Sequence, residues 1–91
     1  MTMALQVTEA EAAVLMLQRK RSALVSYARE LADERTAAAL AAQRYEPEAR
    51  TRLSEINSIL ALLGSELRNV DCALTEAGRR LALAQHMEKV A

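Results

Sequence analysis

"RYEPEAR", residues 44–50, holds the only proline of the chain, and Pro47 stands almost at the centre of 91 residues. Proline disfavours the α conformation in the residue before it and is at ease in the first turn of a helix. The stretch therefore predicts one helix ending near Arg44, a bend over about 45–47, and a second helix starting near Glu48. The carboxylate of Glu48 suits the positive N-terminal end of that second helix. On the other side of the bend, neither Gly nor Pro interrupts the chain from Thr8 to Arg44. Thr8 followed by Glu11 has the spacing of a capping box, with Val7 placed to pack back on the first turn, so the first helix is expected to run over about 8–44. The second is expected over about 48–88.

The second arm carries the clearer pattern. Leu53, Ile56, Leu60, Leu63, Leu67, Val70, Leu74, Ala77, Leu81 and Ala84 alternate spacings of three and four without a slip. That is a heptad repeat with apolar a and d positions. The first arm follows the same rhythm from Val7 to Tyr45, interrupted at Arg21 and Arg35. Folding at Pro47 makes the two seams antiparallel and sets Ala38 and Ala42 toward Leu53 and Ile56, and Ala28 toward Leu63 and Leu67. The fold class expected is all-α: a long antiparallel helical hairpin, a two-helix coiled coil in one domain over residues 1–91. The rival, a three-helix bundle broken at Gly64-Ser65, would need a turn inside an unbroken heptad. Arg21 and Arg35, at seam positions, are expected to lay their stems on apolar surface and carry their heads to water. Glu66 and Asp71 stand at plausible heights to pair with them.

Composition narrows the function. There is no Phe or Trp and only two Tyr, although 52% of the residues are hydrophobic, so alanine and leucine supply an apolar content suited to helices. Twelve basic and twelve acidic residues cancel, which argues against a strong sequence-independent hold on nucleic acid or anionic lipid. The one cysteine, Cys72, excludes an intrachain disulfide and a cysteine-based zinc site. No apolar stretch approaches membrane-spanning length, and the start, "MTMALQVTEAE", has neither a basic region nor an apolar run. A cytoplasmic protein of bacterial or phage type is the expectation.

The search for chemistry returns little. His86 is the lone histidine, on the outer face of the heptad, and no Cys or His stands near it. The sequence lacks the Glu-x-x-His motif of di-iron bundles and any glycine-rich phosphate loop. Its serines have no paired base. No catalytic, cofactor-binding or metal-binding residue is assigned, no cofactor is called for, and the expectation is a protein without enzyme activity. The Trp-x-Gly turn of secreted helical hairpins is absent, "RYEPEAR" standing in its place.

A surface for a partner is the remaining signal. Along the e positions the first arm offers Val25, Ala32 and Ala39, and the second Asn57, Gly64, Asp71, Gly78 and Gln85. In the antiparallel register Ala39 falls level with Asn57, Ala32 with Gly64, Val25 with Asp71, and Gln18 with Gly78. Gly64 and Gly78 are the only glycines, two heptads apart, and the pattern passes through both. This flank, with Val25, Ala32, Ala39, Gly64, Asp71 and Gly78, is the expected partner interface, closing a homodimer into a four-helix bundle or receiving a helix of another protein. The off-seam apolar residues Leu15, Met16, Leu40, Ile59, Leu62, Leu83 and Met87 point the same way, since together they exceed what a solvated pair of helices should show. The function expected is a non-enzymatic coiled-coil interaction protein, an adaptor, chaperone or assembly accessory. The alternative is a nucleic-acid-binding hairpin using Arg19, Lys20, Arg21, Arg79 and Arg80, which gather toward the open end. Nearby Glu9, Glu11, Glu76 and Glu88 and the lack of aromatic stacking residues weigh against it.

Overall fold

A computed structural model describes residues 3–90. Its elements are α1, Met3–Gln43, and α2, Ala49–Val90, with no strand among the described residues. The helices pack antiparallel as a hairpin. α2 passes through Gly64 and Ser65 without a break. By its contacts the chain divides into two compact units: a turn unit, Ala23–Leu67, and a terminal unit made of the chain up to Ser22 together with the chain from Arg68.

α1 starts five residues before the expected cap. Thr8 lies inside the helix, and its hydroxyl donates to the Ala4 carbonyl at 3.0 Å. Ala4, Leu5 and Gln6 are good helix formers with nothing to stop them. A threonine overtaken by a helix satisfies its hydroxyl on the carbonyl one turn back, so no capping box forms.

The bend occupies residues 44–48, where it was expected, but it is closed by a device the sequence did not announce. The Glu46 N–H donates to the Ala41 carbonyl at 3.2 Å, and the Tyr45 N–H to the Ala42 carbonyl at 3.1 Å. These are the two bonds of a Schellman motif, and they require the left-handed conformation at Tyr45, whose φ is 62°. Glycine normally fills that position because a Cβ is crowded there. The Tyr45 side chain is 86% exposed, so packing does little to offset the crowding. Tyr45→Gly is expected to raise the unfolding free energy by about 0.5–1 kcal/mol, the relief of the left-handed conformation outweighing the added freedom of the unfolded chain. Chemical denaturation of the two proteins checks this.

In the turn unit the core is a cluster of Leu31, Ile56 and Leu63, against which Leu24, Ala28, Ala38, Ile59 and Leu60 pack. Ile56 is fully buried and Leu31 is 2% exposed. The small side chains of Ala28 and Ala38 let the helices come together around Ile56 and Leu63, as the seam alignment predicts. Ala49 is also buried here. At the edge of this unit the Arg52 guanidinium bonds Glu34 across the helices and Glu55 along α2. Those carboxylates, Glu34 foremost, hold Arg52 above its ordinary pKa, so it stays charged at any working pH.

The terminal unit buries fewer side chains completely. Val70 is its one buried residue among those described. Val7, Ala10, Val14 and Leu17 of α1 and Leu74, Ala77, Leu81 and Ala84 of α2 are half-buried. Arg21 Nε donates to Asp71 Oδ1 at 2.7 Å, a contact across the helices that the antiparallel register allows.

Candidate functional site

The e-position flank is assembled piecewise. In the turn unit Val25, Ala39 and Gly64 are half-buried and Ala32 is exposed. In the terminal unit Asp71 and Gly78 are both exposed. Asp71 is engaged by Arg21, whose head reaches the surface as expected and finds a partner there. Gly78 has open space beside it: a Cβ built on its backbone meets nothing within 4 Å. Glycine in a helix interior costs about 1 kcal/mol relative to alanine, through the freedom it restores to the unfolded chain. Gly78→Ala is therefore expected to stabilise the protein by about 1 kcal/mol. A loss of stability on thermal or chemical denaturation would mean that this edge is covered.

The opposite edge of the terminal unit is shaped differently. There the helices leave a groove with a cavity volume of about 610 Å³. It is lined by Ala10, Ala13 and Leu17 of α1 and by Ala73, Ala77 and Leu83 of α2. Leu83 is 58% exposed. Glu9 of α1 and Glu76 and Arg80 of α2 also line it, and Arg80 Nε bonds Glu76 Oε1 at 3.3 Å. Sequence reasoning noted Leu83 and Met87 as stray apolar residues but followed the glycines to the other edge. The signal for the groove was Ala13 and Ala73, small residues one position outside each seam, which come together only when the register is known.

The five basic residues of the alternative reading all fall in the terminal unit and are exposed. Arg21 bonds Asp71 and Arg80 bonds Glu76 within the chain. His86 is exposed, and so is the free thiol of Cys72. Among the described residues no three or more of His, Cys, Asp and Glu form a group that could hold a metal ion. No described helix is long and apolar enough to cross a membrane.

Of the off-seam apolar residues, Ile59 packs onto the core of the turn unit. Leu15, Met16, Leu40, Leu62, Leu83 and Met87 remain 43–70% exposed. Comparison of the chain with protein-family models, with curated proteins and with solved structures finds no match.

Proposed function

We propose that this chain is a helical interaction protein that acts by self-association, as a homodimer of hairpins. The observation that carries the reading is the surface left uncovered. Five apolar side chains alone are buried among the described residues, while Met16, Leu62 and Leu83 stand more than half exposed. A core this thin contributes only a few kcal/mol, and small domains commonly make up the remainder by assembling. Leucine and methionine left on the outside of two helices are the material from which a four-helix bundle is closed.

Assembly couples folding to concentration. The thermal midpoint of a folded dimer rises with protein concentration because the partner acts as a ligand of the native state. Over a hundredfold range of concentration the midpoint is expected to climb by several degrees, the linkage being worth about 2.7 kcal/mol. A midpoint independent of concentration would leave the uncovered surface to a different protein and remove the dimer.

A further inference from the structure

We infer that the terminal unit opens as one cooperative piece while the turn unit stays folded, so that the hairpin is an anchored core carrying two arms that part and close. The inference concerns a single chain and does not rest on the homodimer.

Burial is divided unequally between the units. Leu31, Ala49, Ile56 and Leu63 are buried in the turn unit, and three of them form its cluster. Val70 is the one buried residue described in the terminal unit. The seam there runs on through half-buried side chains, with Ala10, Ala77 and Ala84 set among the larger Val14, Leu17 and Leu81. Apolar stabilisation follows the area removed from water, so a half-covered seam rich in alanine holds two helices less firmly than the buried leucines and isoleucine of the turn unit. Arg21 and Asp71 pair across the helices, but their side chains are 47% and 52% exposed, and such pairs contribute little. Arg80 and Glu76 pair along α2 and so do not tie it to α1.

Topology sets the order of opening. The turn unit is one continuous stretch, Ala23–Leu67, with the bend inside it. The terminal unit is made from the two ends of the chain, which meet only when everything between them is closed into a loop. A folded turn unit has made that closure already. Without it, closing so long a loop costs entropy that the contacts of the terminal unit would have to offset. The arms can therefore part over a folded turn unit, whereas the turn unit does not open beneath closed arms. Parting bares Val14, Leu17, Leu74 and Leu81, apolar side chains that the closed chain half covers. Opening of this kind, below the free energy of global unfolding and shared by a whole structural unit, has its own signature in amide exchange.

Amide hydrogen exchange on the full chain at low micromolar concentration, under conditions where it reports the opening equilibrium, tests the inference. Amides of residues 12–20 and 72–82 should share one opening equilibrium and exchange at least about tenfold faster than the slowest amides around Leu31 and Ile56. Two variants separate this from its rivals. Ile56→Val should speed exchange of the slow turn-unit amides about fivefold and leave the terminal unit unchanged, because Ile56 stays packed when the arms part. Gly78→Ala should slow exchange about fivefold in the terminal unit, in α1 as well as in α2, because both helices open in one event. One common exchange behaviour across both units, accelerated throughout by Ile56→Val, would overturn the inference in favour of a single cooperative hairpin. Protection that falls smoothly toward the chain ends, with the effect of Gly78→Ala confined to α2, would overturn it in favour of independent fraying of the two helices.

Discussion

Replacing Ile56 with alanine is expected to lower the unfolding free energy by about 3–4 kcal/mol. Ile56 has no exposed surface and lies at the centre of the cluster with Leu31 and Leu63. Shortening it removes three carbons from a site whose neighbours stand on two stiff helices and relax only in part, which places the loss near the middle of the range for such changes. A domain this small has little more than that to lose. At room temperature the variant should therefore populate the unfolded state visibly, by guanidinium titration and by circular dichroism. A loss below about 1 kcal/mol would show that Ile56 is not at the centre of the core.

Leu31→Asp is expected to cost at least as much at neutral pH, about 4 kcal/mol or more, by a different mechanism. Leu31 is the one buried residue of α1 among those described, and the side chains packed in its cluster are all apolar. A carboxylate placed there is desolvated with no cation or donor supplied by that cluster. Burial favours the neutral form, so the introduced group takes a folded-state pKa above its unfolded value of about 3.9. Stability attached to the neutral form is therefore fully present below the unfolded pKa and is lost as pH rises through the folded one. The deficit relative to the unsubstituted protein should grow between about pH 4 and pH 7. Leu31→Asn, which cannot ionise, should show a deficit that does not change over the same range. Parallel pH dependence in the two variants would mean that position 31 is open to water.

How much of this was legible in the sequence can be argued residue by residue. Ala49, Ile56, Leu63 and Val70, four of the five buried residues, stand at strict intervals of seven on α2. A heptad seam of that regularity fixes which face of a helix is inward, whatever it packs on, so the hairpin and its inward face could be read directly. Pro47 located the bend, because its restriction acts on the local backbone. The start of α1 was misread at Thr8, because a threonine caps a helix only where the preceding residues decline to be helical, and Ala4, Leu5 and Gln6 do not. The left-handed Tyr45 was invisible for the opposite reason: glycine is the residue that signals such a turn, and it is missing here. The choice between the two edges of the helices lay further out of reach. Both carry small residues in the sequence, and only the folded structure shows Ala13 and Ala73 lining one groove and Gly78 beside open space.

Self-association is the claim on which the functional account stands, and the mass of the native particle tests it most directly. Size-exclusion chromatography with light scattering, run at high micromolar concentration and at two salt concentrations, should return twice the chain's 10.0 kDa in both. An apolar interface survives salt that screens exposed ion pairs such as Arg80 with Glu76. A particle of 10.0 kDa at that concentration would contradict the account and assign the exposed leucines and methionines to a different protein.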